Sequence, residues 1–240
     1  MSNQRIGDGE RKNASGKDVF VFADPATWYH ARTVKGFREH VRYVKAFHCC
    51  KPLRMDEYLE KGLLMPEEER MRDLTIRLLG KWVEREKLEE AFKKNWASYP
   101  AKGIYFNVNK RLLLEECGHY LIYGSELVTG IAAGFWRREE LMAYGTPTIF
   151  TALVPTEMLS DETVKELIDC VRGSFHHSPL ADFGFRITEN LPAKYLVKVE
   201  HPPRIRNPLL GGTYYQVRPQ DETMRAAFRG EGRRPFGESH

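Results

Sequence analysis

Four short stretches of the chain hold the residue types from which a binding site could be built. Phe47-His48-Cys49 puts an imidazole near the end of an apolar run. Ile104-Tyr105-Phe106-Asn107 puts a phenol inside another. Tyr123-Gly124-Ser125-Glu126 sets a hydroxyl beside a carboxylate directly after a glycine. Arg186-Ile187-Thr188-Glu189-Asn190-Leu191-Pro192 carries Glu189 in a turn before a further apolar run. A histidine at a strand end can face a cleft, where its ring donates or accepts near neutral pH. A serine followed by an acid reads as a helix N-cap with a dipole-complementing first turn, and such a helix start can meet a phosphate or hydroxyl through its N–H groups. Each stretch also has a plain structural explanation. His48 can be a satisfied structural ring, Tyr105 a core residue, Ser125 and Glu126 a simple cap, and Glu189 a turn residue.

Thiol and metal chemistry are weakly encoded. Cys49, Cys50, Cys117, His119, Cys170, His176 and His177 are of zinc-ligand type. The adjacency of Cys49 and Cys50 and the lack of any CxxC pair argue against a structural zinc site, so no metal is expected. Cys117 with His119 or His48 is the one arrangement for a thiol nucleophile. Glu126, Glu157 and Glu189 around a metal, as in a nuclease, have no motif to support them. The sequence contains no GxxxxGK[ST], no GxGxxG after a strand, no HExxH and no GxSxG, which counts against the common nucleotide-hydrolase, dehydrogenase, zincin and serine-hydrolase classes.

The elements that must position these residues follow from apolar periodicity and breakers. Val19–Ala23 is a short strand, and Asp24 caps a helical turn opened by Pro25. Tyr43–Cys50 alternates, with Val44, Ala46 and His48 on one face and Tyr43, Lys45, Phe47 and Cys49 on the other. Met55–Lys61 is a short helix closed by Gly62. Pro66 to about Ala97 is a long amphipathic helix, interrupted at Gly80, whose charged residues form a solvated face. Gly103–Val108 and His119–Tyr123 are strands. A helix capped by Ser125 runs to about Ala133. Thr148–Val154 is a strand, Asp161–Val171 a helix capped by Ser160, and Phe183–Ile187 and Tyr195–Val199 are strands. Pro202 and Pro203 stop the last of these, and Thr213–Val217 is a final strand. No internal repeat is visible. Strict strand–helix alternation is absent, which disfavours a doubly wound parallel sheet. The expected fold is α+β, with a mixed, mainly antiparallel sheet and flanking helices.

A chain of 240 residues with 42% hydrophobic and 12% aromatic residues can fill a core. One domain is expected over 19–217, between a polar arm at 1–18 and an Arg/Gly-rich tail at 218–240. No signal-like segment and no apolar run long enough to span a bilayer occur, and four cysteines without paired spacing suit a reducing compartment, so the cytoplasm is the expected location. The net charge of +4 permits nucleic-acid contact without requiring it. Basic residues gather in two places, Arg32, Lys35, Arg38, His40 and Arg42, and later Arg204, Arg206, Arg218, Arg225, Arg229, Arg233 and Arg234. Both sets read equally as phosphate contacts or as ordinary surface.

Taken together, His48 before Glu60-Lys61-Gly62-Leu63, then Ile104-Tyr105-Phe106-Asn107, then Glu189 before Leu191-Pro192, resemble in patches the ADP-ribosyltransferase superfamily over 43–199. The resemblance implies an ADP-ribosyltransferase-like sheet and an enzyme that moves ADP-ribose from NAD, as substrate, to a macromolecular acceptor, RNA, DNA or protein. Many such enzymes act as toxins or antiviral defence effectors, and an inhibitory partner protein is in keeping with that role. It also implies that His48 holds a ribose hydroxyl, that Tyr105 stacks on nicotinamide, and that Glu189 is the catalytic acid. Ser125 and Glu126 are the further candidates for cofactor contacts. Lys194 departs from the family pattern, because it stands before Tyr195-Leu196-Val197 where several branches carry the acid. Glu126 and Glu157 therefore compete with Glu189. The alternative is a non-catalytic nucleic-acid- or protein-binding module on the same scaffold.

Overall fold

The computed structural model describes residues 18–30, 32–99, 103–177 and 183–217, with the backbone alone at 25, 29–30 and 174–177. The expected arm, except for Asp18, and the expected tail at 218–240 lie outside the described residues.

Elements appear in the order β1 (Val19–Phe20), α1 (Val34–His40), β2 (Tyr43–Cys50), α2 (Met55–Lys61), α3 (Glu68–Leu79), α4 (Arg85–Ala97), β3 (Ile104–Asn107), α5 (Lys110–Glu115), α6 (His119–Tyr123), α7 (Glu126–Gly134), β4 (Thr148–Pro155), α8 (Asp161–His177), β5 (Gly184–Ile187), β6 (Leu196–Glu200), β7 (Arg204–Asn207) and β8 (Thr213–Gln216). Local chemistry accounts for several of their ends. Asp24 accepts from the Ala26 N–H before a 3-10 turn at Pro25–His30. The Thr33 hydroxyl accepts from Gly36 at the start of α1, and the Ser160 hydroxyl accepts from Thr163 at the start of α8. The long helix expected from Pro66 is two helices, broken where Gly80 closes α3.

β5-β3-β2-β4-β6 form an antiparallel sheet, with β1 added parallel to β2. β2 and β4 pair along their whole lengths, from Tyr43 opposite Pro155 to Cys50 opposite Thr148. β2 and β3 meet in one register pair only, Phe47 with Asn107. β7 and β8 form a separate two-stranded ribbon. The fold is thus α+β with an antiparallel sheet.

Alternation on β2 splits the apolar residues between two cores. Val44 and Ala46 join Phe20, Phe37 and Phe150 beneath α8, whose Val164, Leu167, Ile168 and Val171 recur at helical spacing. Full burial of each such side chain stabilises by ~2 kcal/mol. Phe47 and Cys49 face the second core, built on Leu79, Leu88, Phe92, Leu121, Ile122 and Val128.

One sequence expectation is corrected, and one strand is added to those expected. His119–Tyr123 is a helical turn, not a strand. Leu121, Ile122 and Tyr123 are buried at three successive positions, between α7, the 3-10 turn at Arg138–Ala143 and β7. A strand with one exposed face would alternate, and a five-residue apolar run does not by itself distinguish the two. Arg204–Asn207, to which the sequence assigns no element, is the strand that pairs with the last one.

Candidate active site

A cleft of about 670 Å³ opens where β2 and β3 part. Its floor is the end of β2, Phe47 to Cys50, and the strand β3. One wall is α2, the segment Gly62–Leu64 and the inner face of α3. The opposite wall runs from Leu113 through Cys117 and Tyr120 to Gly124, Ser125 and Glu126. His48, Tyr105, Ser125 and Glu126 all line this one space.

His48 is placed by the long β2–β4 ladder. Its Nδ1 lies 2.8 Å from the carbonyl oxygen of Tyr105. A carbonyl only accepts, so Nδ1 carries the proton and donates, which leaves Nε2 as the acceptor of a neutral ring. Burial lowers the imidazole pKa below its usual 6.5, against an opposing pull from the Tyr105 carbonyl. The ring side chain also supplies a link between β2 and β3, where the backbone ladder has one register pair.

Tyr105 departs from the core explanation. Ile104 and Phe106 turn into the core, whereas Tyr105 is 47% exposed on the opposite face. Its register partner on β5 is Arg186, and the neighbouring pair Asn107–Gly184 lies against the same cleft. A large ring exposed among polar neighbours offers a flat surface for stacking.

Ser125 stands at the N-cap position of α7, yet its hydroxyl makes no capping bond. Both it and the exposed carboxylate of Glu126 line the cleft. The Tyr120 hydroxyl lies 3.5 Å from Glu126 Oε2. Burial and then the Glu126 charge push the Tyr120 phenol up to about 12, so it stays a donor at neutral pH. Lys51 holds this wall to the end of β2. Its Nζ donates to the carbonyl oxygens of Ile122 (2.7 Å), Leu141 (2.9 Å) and Met142 (2.8 Å).

Glu189 and Glu157 lie elsewhere. Glu189 is exposed in the turn after β5 and is not among the cleft-lining residues. The turn itself is fixed, since Asn190 accepts from the Met65 N–H and Leu191 exchanges backbone bonds with Leu63. Glu157 is exposed in the 3-10 turn after β4. No cluster of three His, Cys, Asp or Glu suited to a metal occurs among the described residues. Lys194 lies with its Nζ 5.1 Å from the Tyr195 ring.

The thiols of Cys49 and Cys50 also line the cleft, but burial pushes both well above their usual range, with Cys117 adding to the effect at Cys49. They are protonated at neutral pH and poor nucleophiles. His48 Nδ1 is engaged by a carbonyl rather than by a thiol.

Sequence reading missed Tyr120, Lys51 and the inner face of α3. Arg70, Asp73, Leu74 and Arg77 follow i, i+3, i+4, i+7 spacing and all line the cleft. That periodicity was available, but a charged stripe resembles a solvated helix face until a concave surface is found opposite it. No helix among the described residues is long and apolar enough to cross a membrane. Comparison of the chain with protein-family models, with curated proteins and with solved structures found no match.

Proposed function

We propose that the chain is an ADP-ribosyltransferase-like enzyme that uses NAD as substrate and transfers ADP-ribose to a macromolecular acceptor, with its sheet of that superfamily's type. The observation that carries this reading is the meeting of His48, Tyr105, Ser125 and Glu126, drawn from three distant segments, on one cleft of about 670 Å³. That volume falls within the range of roughly 300–1,000 Å³ in which small ligands are bound.

Each group has a part in breaking and remaking one glycosidic bond. Nicotinamide stacks on Tyr105. His48 Nε2 accepts a ribose hydroxyl proton in a hydrogen bond. The Ser125 hydroxyl and the first N–H groups of α7 meet a phosphate or hydroxyl oxygen. The C1′–N bond breaks with its electron pair leaving on nicotinamide, and positive charge develops at C1′ as in glycoside cleavage. Glu126, which lines the cleft along with Glu57 and Asp73, stabilises that charge and takes the proton of the incoming acceptor nucleophile. We assign the acid to Glu126 in place of Glu189 because, of the two, only Glu126 lines the cleft.

The test is nicotinamide release and label transfer from labelled NAD, using His48→Ala, Tyr105→Ala, Glu126→Gln and Glu189→Gln. Loss of turnover in the first three and retention in Glu189→Gln is the expected pattern. Loss in Glu189→Gln with retention in Glu126→Gln returns the acid to the β5 turn. Salt-sensitive binding of nucleic acid by a parent protein that consumes no NAD would replace the enzyme by a binding module.

A further inference from the structure

The ribbon formed by β7 and β8 lies outside the cleft and has two unlike faces. Ile205 and Asn207 are buried, at 1% and 2% exposure, and hold the inner face against α6, where Asn207 donates to the Tyr123 hydroxyl at 2.8 Å. The outer face carries Arg204 opposite Gln216, and Arg206 opposite Tyr214. Arg206 is committed to the scaffold. It donates to Glu116 at 2.8 Å and to the Glu115 carbonyl, and its guanidinium rests on Gly212, where a Cβ would come within 2.9 Å. Gly118 fits so closely below that an added Cβ would lie 2.0 Å from the Arg206 carbonyl. The ribbon is therefore fixed to α5 and α6, which with the turn between them supply Leu113, Cys117 and Tyr120 to the cleft wall.

Arg204 and Tyr214 are left facing outward. The Arg204 guanidinium carbon lies 3.6 Å from the centre of the Tyr214 ring, and that ring is 52% exposed. Among the described residues Arg204 has no carboxylate partner. The turn beside this pair exposes Leu209 and Leu210. From His201 to Val217 the sequence has no acidic residue, although the whole chain has 33. A flat cation stacked on an exposed phenol, on a rigid ribbon without negative charge, is built to receive a planar π-system that carries negative charge. A protein partner would supply carboxylates to the arginine but would have no general need for the stacked plane. An unpaired nucleic-acid strand supplies both bases and phosphates.

We propose that the outer face of the β7–β8 ribbon binds single-stranded nucleic acid, a base stacking on the Arg204–Tyr214 pair and a backbone phosphate meeting the Arg204 guanidinium. That the same strand is the acceptor rests on the transferase reading above, whereas the binding does not.

The experiment uses the full chain and fluorescence anisotropy of labelled oligo(dT) and oligo(U) of about twenty nucleotides, with a duplex of equal length as a third probe. Tyr214→Ala is expected to weaken single-strand binding by about five- to 150-fold, and Tyr214→Phe to restore it, since stacking needs the ring alone. Arg204→Ala is expected to lower the slope of log affinity against log salt by about 0.7. Circular dichroism and urea unfolding check that each variant keeps its fold. Parent-like affinity in both alanine variants, no binding of either oligonucleotide by the parent, or equal affinity for the duplex would each overturn the proposal. The two deoxy and ribo probes identify which sugar is preferred. Retained strand binding in Glu126→Gln, together with an absence of NAD turnover in the parent, would leave the ribbon standing and remove the transferase reading.

Discussion

Replacing Lys51 with methionine keeps the side chain at similar length and removes its charge and its donors. Three carbonyl oxygens, of Ile122, Leu141 and Met142, then lose a partner at 2.7–2.9 Å. A hydrogen bond from a charged donor is worth about 1.5–3 kcal/mol net, but three bonds to one ammonium do not add in full. The site is only part-buried, so water recovers some of the loss, and a destabilisation of about 3 kcal/mol is expected. With a urea slope of about 3 kcal/mol per molar for a chain of this size, the midpoint falls by about 1 M. The second effect is kinetic. Ile122 precedes the Gly124-Ser125-Glu126 corner by two residues, so the same bonds help hold the part of the cleft wall that carries Glu126. On the proposed transferase reading a shift of about 1 Å there costs about a hundredfold in rate when chemistry limits, and nicotinamide release measured well below the unfolding midpoint reads it. A midpoint within about 0.2 M of the parent would refute the reasoning, because it would mean that water serves these carbonyls as well as the ammonium does.

Gly62→Ala is expected to destabilise by about 3 kcal/mol or more, because φ is +84° and the added Cβ would meet the Leu191 carbonyl oxygen at 2.0 Å; urea unfolding measures it. Trp136 takes the left-handed position that ends α7, with φ 59° and 93% exposure, so it gains little contact for an uncommon backbone conformation. Trp136→Gly is therefore expected to raise stability by about 0.5 kcal/mol, a thermal midpoint shift of about 1–2 °C, with unchanged nicotinamide release. The lowered pKa of His48 fixes the sign of a pH effect. The unfolded chain binds the proton more readily, so the stability contributed by the neutral ring is full above 6.5 and is lost as pH falls through the folded pKa. Urea midpoints of parent and His48→Gln should accordingly converge or cross as pH drops below 6.5, and a constant gap would contradict the assignment.

Much of this arrangement was legible in the sequence because it depends on short-range rules. The β2 strand runs over Tyr43–Cys50 as alternation predicts, with Val44 and Ala46 in one core and Phe47 and Cys49 against the other. Gly62 marks the end of α2, and Gly80 divides the long helical stretch. What escaped is set by distant partners. His119–Tyr123 is helical, and its last three residues are buried in succession, so the alternation that separates strand from helix is absent. Ser125 lines the cleft and its hydroxyl does not cap α7, a choice no local pattern records. Which acid shares a space with His48 depends on how the loops after β3 fold back, so Glu126 and Glu189 look equivalent until the chain is closed.

The single register pair between β2 and β3 makes that junction a compliant seam in an otherwise stiff sheet. Load passes easily from β2 into β4, but β3 and β5 hang from β2 like a leaf on one hinge pin, with the His48 ring as a second pin to Tyr105. That junction lies on the floor of the cleft. An imidazole in this position is therefore a mechanical part as well as the proposed ligand contact, and removing it alters two things at once. Asparagine separates them, since its amide N–H can reach a carbonyl as Nδ1 does but offers nothing in place of Nε2. If His48→Asn keeps the parent's hydrogen-exchange protection across β3 and β5 yet loses turnover, the acceptor nitrogen matters for chemistry. If both are lost only in His48→Ala, the ring serves to hold the leaf at its working angle.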